Sequence, residues 1–401
     1  MTKEQKRKLF ILMINMFIAI GSFGIVIPIL PQYLMSINQG GTAAGLMVAI
    51  FAGAQLVFSP IAGKWTDQYG RRKMIIYGLA GLTASMFIFY IFDNIWWLYV
   101  SRVVGGVGAA LLVPAIFAYV ADITTIDQRA RGNSLVSAAM SLGIVIGPGI
   151  GGFLTKFGLK APFLISALVS LVAVIFSIII LEESQKAGAQ GGTHALDNES
   201  MAKKMVRSVK MPYFIPLVIT LVMSFGLMAY ESVLGLFVDN QYGATPQEIA
   251  VMITATGIIS VIVQLFVVDR IVGRIGEANV LILFLGVAAV GFMLSLLASS
   301  YGVFFGVTLL IFLATSILRP VLNTLISKLA DNEQGFAMGM NNAYMSIGNV
   351  LGPLLAGIIY DVNIMYPFVL GLVLITLTLF GSIAWQKRMS KKNQKINIAE
   401  S

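Results

Sequence analysis

Glu231 is the acidic residue that stands near the middle of a long apolar stretch of the sequence. A lone carboxyl group in such surroundings can bind a proton or, when ionised, a cation. The alternative is a protonated structural acid that is hydrogen-bonded inside a helix bundle. Arg102 and Arg319 also lie within apolar stretches, where a charge is unfavourable unless it is paired or faces a polar cavity. For Arg102 the alternative is a side chain that reaches out to the nearby membrane surface. Together these residues predict a site for protons and charged ligands.

The elements that carry these residues are membrane-spanning helices. Of the 401 residues, 58% are hydrophobic and only 11% are charged, whereas a soluble domain has roughly 25% charged residues. Such a chain cannot hide its apolar surface in water, so a soluble enzyme, a disordered protein and, without cysteine, a disulfide scaffold are excluded. The apolar runs are continuous and about 20 residues long. They predict an all-α membrane protein with twelve transmembrane helices, at 9–30, 42–63, 74–92, 96–120, 132–155, 161–181, 212–238, 247–268, 278–299, 301–325, 335–360 and 366–385.

The positions of the basic residues predict the orientation of these helices. If the N-terminus is cytoplasmic, nearly all of the 27 Lys and Arg residues fall in cytoplasmic segments, as the positive-inside rule requires. The sequence therefore predicts a multi-pass protein of the cell membrane with both termini in the cytoplasm. The same distribution accounts for the net charge of +9 without a nucleic-acid partner.

The two halves of the chain resemble each other. A polar stretch at 182–211, which we interpret as a cytoplasmic linker, separates residues 1–181 from residues 212–401, which end in a basic tail. Five residues of span five recur 205 positions later in span eleven, namely Ser141, Gly143, Gly147, Pro148 and Gly152 as Ser346, Gly348, Gly352, Pro353 and Gly357. Pro114 in span four is matched by Pro320 in span ten. This predicts two six-helix bundles related by a parallel pseudo-two-fold repeat, with a shared site and alternating access.

The loop between spans two and three contains a patterned group of charges and glycines. Gly63 is expected to permit a close approach of helices, and Gly70 to permit a turn with positive φ. Asp67 stands among basic residues that include Arg71 and Arg72, so it can bridge neighbouring helix ends. The alternative is a merely basic cytoplasmic loop. The predicted gating set is Gly63, Asp67, Gly70, Arg71, Arg72 and, at the end of span four, Asp122.

Span five combines several glycines with one proline. The glycines make a smooth face for close helix packing, and the proline removes a backbone donor. The residues of this motif are Gly143, Gly147, Pro148, Gly151 and Gly152.

These motifs resemble signatures of the major facilitator superfamily, and the resemblance covers nearly the whole chain. The loop between spans two and three matches G-x-x-x-D-x-x-G-R-R, and span five is similar to the antiporter signature G-x-x-x-G-P-x-x-G-G of drug/proton exchangers. The stretches 224–232, 318–320 and 333–341 are similar to the twelve-span multidrug/proton antiporters of Gram-positive bacteria. The resemblance implies the major facilitator fold, a Gram-positive source and, for the loop, a latch on the outward-open state.

The resemblance also implies roles for individual residues. Glu231 is implied in proton coupling and cation recognition, with Arg102 and Arg319 in the proton-coupling set. The predicted substrate-binding residues comprise the family-matched Glu231, Gln55, Arg319 and Asn349, together with Asn341 for hydrogen bonding and the aromatic walls Phe23 and Tyr230. For Gln55, Asn341, Asn349, Phe23 and Tyr230 the alternative role is ordinary packing.

The chain departs from this family at two positions. Ser316 stands where those transporters have an aspartate three residues before the arginine of span ten, and Leu135 stands where they have a tyrosine. The second protonation step of the family scheme therefore lacks its residue.

The expected function is multidrug efflux by proton-coupled antiport, which confers antibiotic resistance. The expected substrates are lipophilic cationic or zwitterionic compounds such as dyes, quaternary ammonium compounds and fluoroquinolones. We expect a monomer that uses the proton gradient and holds no cofactor or metal. The alternative is a transporter of the same superfamily for one metabolite, such as a sugar or nucleoside, or for lipids. An enzyme is not expected, because one His and no Cys leave the spans without a catalytic constellation.

Overall fold

The computed structural model describes residues 2–184, 201–330 and 333–400, with the backbone alone for 126, 127, 130, 202 and 389–400. Within these ranges the protein is 90% helical and has no strand. The helices are α1 (Lys3–Val26), α2 (Leu30–Ser36), α3 (Gly41–Tyr69), α4 (Arg71–Ile91), α5 (Ile95–Ile123), α6 (Ile126–Leu154), α7 (Ala161–Ile180), α8 (Met201–Ser208), α9 (Phe214–Tyr242), α10 (Pro246–Phe266), α11 (Val268–Ile275), α12 (Glu277–Leu297), α13 (Tyr301–Ala330), α14 (Gln334–Val362) and α15 (Tyr366–Glu400). Twelve of them are long and apolar enough to cross a membrane, which confirms the prediction of an all-α membrane protein with twelve spans.

Several helices differ in length from the predicted spans. The first predicted span ends at residue 30, but α1 ends at Val26, because Pro28 follows and cannot continue the ladder of hydrogen bonds. The short α2 then begins with Pro31 in its first turn, where a missing N–H has no consequence. At its start α1 reaches back to Lys3, because Thr2 and Gln5 form a capping box. The first helix of the structure thus begins before the apolar run, where a cap allows it, and ends before the run does, where a proline follows.

Five of the long helices contain an internal proline. In water such a residue would break a helix, but in the membrane neighbouring helices and side chains can satisfy the backbone groups that it frees. These prolines are Pro60 in α3, Pro114 in α5, Pro148 in α6, Pro320 in α13 and Pro353 in α14.

The chain divides into two compact units. One comprises Met1–Asp197 with Leu234–Gly257, and the other comprises Asn198–Val233 with Ile258–Ser401. The division into two six-helix bundles at 1–181 and 212–401 stays a prediction, and Leu234–Gly257, which it assigns to the second half, groups here with the first unit. The reason is close packing of small residues, since a Cβ on Gly257 of α10 would lie 2.9 Å from Cγ2 of Val145 on α6. Of the predicted linker, 182–211, residues 185–200 lie outside the described residues, and the part from residue 201 onwards contains the short helix α8 (Met201–Ser208).

The first unit has an apolar core with polar pairs inside it. Leu12, Leu79 and Ile116 of α1, α4 and α5 are fully buried in one cluster. Between α1 and α7, Asn15 donates a hydrogen bond to Ser177 at 2.9 Å, so these polar side chains are satisfied inside the helix bundle.

The second unit has a corresponding core at the start of α9. Tyr213 and Leu217 pack against Ile326 of α13 and Met340 of α14. This cluster joins α9, α13 and α14, the three helices that carry the residues predicted for the site in the second half of the chain.

Candidate functional site

Glu231 lies in the middle of α9, and its side chain is only partly buried. The charge of Arg319, on α13 of the same unit, acts on this carboxyl group. Arg319 is exposed, and its Nη2 approaches Sδ of Met345 on α14 at 3.0 Å. The acid and the base that the sequence singled out in this half thus lie on α9 and α13 of one unit.

Ser316, three residues before Arg319, has a different environment. Its side chain is buried, and its hydroxyl donates a hydrogen bond to the backbone carbonyl of Leu313 at 2.8 Å. A serine here satisfies its own polar group locally and adds no charge. The position at which the resemblance implies an aspartate thus places no second carboxyl group on α13 near Arg319.

Tyr230 fills the interior of its unit, contrary to the expectation that it walls a cavity. Its side chain is 2% exposed, and its hydroxyl shares a hydrogen bond with Thr308 at 2.7 Å. The ring makes edge contacts with Phe292 and Phe368, each with centroids 5.4 Å apart. Because successive side chains of an α-helix point about 100° apart, Tyr230 and Glu231 have different surroundings although they are adjacent.

Asn341 is also a core residue. It is 3% exposed, its Oδ1 accepts a hydrogen bond from Thr220 on α9, and its Nδ2 donates one to Asn323 on α13. All of its hydrogen bonds that we observe link helices of the second unit, which corrects the expectation of a cavity-lining amide. Asn349, further along α14, is partly exposed and stays a prediction as a substrate contact.

Phe23 and Gln55 belong to the first unit. The ring of Phe23 on α1 lies 4.9 Å from that of Phe51 on α3, and both residues are partly exposed. Gln55 follows Phe51 by one helical turn on α3 and is partly exposed as well. Their exposure is compatible with ligand contact, and their role stays a prediction.

Arg102 is deeply buried in the first unit. Its side chain is 3% exposed, and its guanidinium carbon lies 4.2 Å from the ring centroid of Phe89, a cation–π contact. Phe89 in turn contacts the rings of Tyr33 and Phe163. Within the described part of the chain, Nε and Nη2 of Arg102 have no hydrogen-bond partner. The alternative in which this arginine reaches the membrane surface is therefore wrong.

The charged loop forms the cluster that the sequence predicts. Arg71, at the start of α4, pairs with Asp67 on α3 and with Asp122 near the end of α5, both at 3.0 Å. Gly70 has φ +95°, the conformation for which a glycine was expected. Arg72 donates to the backbone carbonyl of Ile178 on α7 at 2.5 Å. The loop therefore links four helices of the first unit.

Gly63 does not show the close helix approach that was expected. A Cβ at this position would meet no atom within 4 Å among the residues of the described ranges. In the first unit Gly63 faces open space, so α3 lies too far from neighbouring helices there for the absence of a side chain to matter.

The residues after α7 complete the loop cluster, and sequence reasoning missed them. Oε1 of Glu183 accepts a hydrogen bond from the backbone N–H of Arg71 at 2.9 Å, and Ser184 donates to Asp122 at 2.8 Å. A Cβ on Gly70 would overlap the Glu183 carboxylate. The sequence feature that could have revealed these contacts is the pair Glu182 and Glu183 directly after the predicted span six, on the same predicted side of the membrane as the loop.

The glycines of span five pack directly on α1. A Cβ on Gly147 would lie 2.8 Å from the backbone oxygen of Gly21, and one on Gly151 would overlap the backbone oxygen of Ile25. A Cβ on Gly24 would in turn lie 3.0 Å from Cδ of Pro148. This motif is therefore a site of close helix packing, as predicted. Gly143 has the same role against Phe17, and Gly152 faces Ala250 of α10.

Twelve apolar helices and charged side chains held inside them define a multi-pass membrane transporter. The family profile of the Major Facilitator Superfamily matches residues 12–237 and 216–400, and the chain belongs to this family.

Relatives and solved structures agree with this assignment. The chain is 40% identical to Multidrug resistance protein 2 of Bacillus subtilis over 386 residues, with 96% of both chains covered. It is 31% identical to Quinolone resistance protein NorA of Staphylococcus aureus, covering 90% of this chain and 92% of NorA. Its fold is similar to the crystal structure of the nucleoside transporter NupG, with TM-score 0.78 at 12% identity, over 94% of this chain and 99% of the other.

Proposed function

We propose that this protein exports lipophilic cationic and zwitterionic drugs from the cell in exchange for protons. The names of the relatives, multidrug resistance and quinolone resistance proteins, support drug efflux as the activity. The observation that carries the coupling is the placement of Glu231. A partly exposed carboxyl group in the middle of a membrane helix, under the field of Arg319, is able to exchange a proton for a cation.

Exchange follows because proton and drug compete for one group. Ionised Glu231 attracts the positive charge of a drug, and protonation removes that attraction and releases the drug. A ligand shifts a conformational equilibrium only through its different affinity for the two states. If the proton-bound and drug-bound forms favour opposite states, movement of protons into the cell drives drugs out.

The proposal includes the setting in which the exchange operates. The protein works as a monomer in the cell membrane of a Gram-positive bacterium, with both termini in the cytoplasm. The proton gradient supplies the energy, and no cofactor or covalent step is required. Arg102, buried beside Phe89, adds a fixed positive charge in the first unit. Substrates are the dyes, quaternary ammonium compounds and fluoroquinolones that the resemblance implies.

Transport in everted membrane vesicles tests the proposal. Ethidium and norfloxacin uptake is measured under an imposed pH gradient for the wild type and for Glu231→Gln, which keeps the shape of the side chain but cannot ionise. The matched control is Asp239→Asn, the same chemical change near the end of the same helix. We expect the gradient to drive both compounds in the wild type and in the control, and neither compound in Glu231→Gln.

Two results would contradict the proposal. If the pH gradient drives neither compound in the wild type, drug export is wrong, and a transporter for one metabolite or for lipids becomes the better assignment. If Glu231→Gln still couples transport to the gradient, Glu231 is not the coupling group.

A further inference from the structure

The internal repeat extends to the loops that precede α4 and α12. Gly70 and Gly276 are 206 residues apart, and both have backbone angles that favour glycine, with φ +95° and ψ 154° for the first and φ +78° and ψ 157° for the second. Each is directly followed by a helix. The first residue of α4 is Arg71, and the first residue of α12 is Glu277, so equivalent positions carry opposite charges.

The partners of these two residues are also equivalent. Arg71 pairs with Asp122, near the end of α5, and Glu277 pairs with Lys328, near the end of α13 at 2.5 Å. Asp122 and Lys328 are again 206 residues apart. Each unit therefore has one ion pair that joins the start of one helix to the end of the next, and the signs of the two charges are exchanged between the units.

The exchange of signs matters because of the helix dipoles. The start of a helix is partially positive and its end partially negative, which favours an acid at the start and a base at the end. Glu277 and Lys328 agree with both dipoles, as an acid in a first turn and a base in a last turn. Arg71 and Asp122 oppose both dipoles. The ion pair of the second unit is thus stabilised by its helices, whereas that of the first unit is destabilised by them.

The first unit compensates with additional carboxylates. Asp67 also pairs with Arg71, and the Glu183 carboxylate accepts a hydrogen bond from the N–H of Arg71 at the start of α4. In the second unit a Cβ on Gly276 would meet no atom within 4 Å among the residues whose side chains the structure describes, which end at residue 388. An ion pair that depends on separate groups from α3 and the segment after α7 is suited to opening. One that agrees with its own helices is suited to remaining closed.

We propose that Glu277 and Lys328 are positioning residues for transport, whose ion pair stays closed throughout the transport cycle while the Arg71–Asp122 pair opens. Lys328 lies nine residues after Arg319 on α13, with Pro320 between them. The closed pair holds the part of α13 beyond the proline against α12, and it thereby fixes the helix that presents Arg319. This inference rests on the proposed transport function.

Cross-linking tests the proposal directly, because the sequence has no cysteine. The variant Glu277→Cys/Lys328→Cys replaces the ion pair by two thiols that a short bis-methanethiosulfonate joins through two disulfide bonds with loss of two sulfinate ions, and a thiol reductant cleaves the link again. The comparison variant is Arg71→Cys/Asp122→Cys. Ethidium transport in everted vesicles is measured before cross-linking, after it, and after reduction, and mass spectrometry gives the fraction that is joined.

We expect opposite effects in the two variants. Loss of the charges in the unlinked Glu277→Cys/Lys328→Cys protein lowers the transport rate by about threefold, the size of a charge–dipole effect at helix ends, and cross-linking restores the rate. In Arg71→Cys/Asp122→Cys cross-linking stops transport, and reduction relieves any arrest that is specific to the link. Reversible arrest by the link between positions 277 and 328 would overturn the proposal, and so would continued transport with positions 71 and 122 linked.

The rate of cross-linking provides a measurement that needs no transport. It is followed at neutral and acidic pH, each with and without ethidium. Because only the thiolate reacts and its fraction falls with falling pH, each linking rate is divided by the rate at which a monofunctional reagent of the same chemistry modifies the same thiols. We expect this ratio to stay constant for positions 277 and 328 under all conditions and to change with conditions for positions 71 and 122. A changing ratio at 277 and 328 contradicts the closed pair. Absence of ethidium transport in the wild type would instead contradict the proposed function, so the two failures are distinguishable.

Charge reversal separates positioning from simple packing. In Glu277→Lys/Lys328→Glu the attraction between the side chains is kept, but both charges now oppose the helix dipoles, as in the first unit. We expect a lower maximal rate of transport and an unchanged KM for ethidium. Full retention of the wild-type rate would show that the signs are irrelevant and would overturn the argument.

Discussion

Removing the Glu183 carboxylate is expected to loosen the first turn of α4. In the structure Oε1 of Glu183 accepts a hydrogen bond from the N–H of Arg71 at 2.9 Å, so it caps a helix whose own first side chain is basic. Loss of such a cap costs about 1 kcal/mol, and loss of a negative charge at a helix start about 0.3–1 kcal/mol. Because Glu183 is exposed, we take about 1 kcal/mol for Glu183→Ala, which increases opening of the turn about fivefold.

Hydrogen exchange measures this opening. The exchange rate of a peptide that covers residues 67–76 is compared by mass spectrometry between the wild type and Glu183→Ala in lipid nanodiscs. The matched control is Glu182→Ala, since this neighbouring carboxylate pairs with Lys8 at 2.7 Å instead of with α4. Glu183→Gln tests the charge, because its amide oxygen can still accept the hydrogen bond. We expect the exchange rate to be highest in Glu183→Ala, lower in Glu183→Gln, and lowest in Glu182→Ala and the wild type.

Combining Gly70→Ala with Glu183→Ala provides a second test of the cap on α4. An alanine there must adopt a positive φ and would also displace the Glu183 carboxylate. The strain of the positive φ is independent of Glu183, but the displacement is already complete in Glu183→Ala, so the effect of the double variant on exchange should be smaller than the sum of the two single effects. If the effects do add, or if Glu183→Ala exchanges like the wild type, Glu183 does not cap α4 in the membrane.

Two further substitutions test the packing of each unit. Gly151→Ala places a methyl group against the backbone oxygen of Ile25. We therefore expect a lower midpoint of thermal unfolding in detergent and reduced drug transport. The control is Gly286→Ala, which should change neither, because the described neighbours leave open space at that position. Tyr230→Phe removes a buried hydrogen bond with Thr308 that contributes about 1 kcal/mol. It should lower the midpoint of unfolding without changing the KM for ethidium. A changed KM would show that Tyr230 contacts the substrate after all.

The residues implicated in the site were predictable to different degrees. Asp67, Gly70, Arg71 and Asp122 form one cluster, as expected, because three of them are close in sequence and their types and spacing are specific. Tyr230 was misplaced because a sequence shows that a ring is near Glu231 but not which way α9 is rotated. The rotation of a helix that is apolar on every side depends on its neighbours, and no periodicity of the sequence reveals it.

The amino-acid sequence by itself determined the class of protein, the twelve helices and the repeat. These follow from composition, from the length of apolar runs that a bilayer requires, and from residue patterns that are local or recur at a constant interval. Only the tertiary structure decided which helix ends meet. Glu183 caps Arg71 across 112 residues, and Glu277 pairs with Lys328 across 51. The sequence has many charged residues at helix ends that could form such pairs. Which two of them meet depends on how whole helices pack against each other.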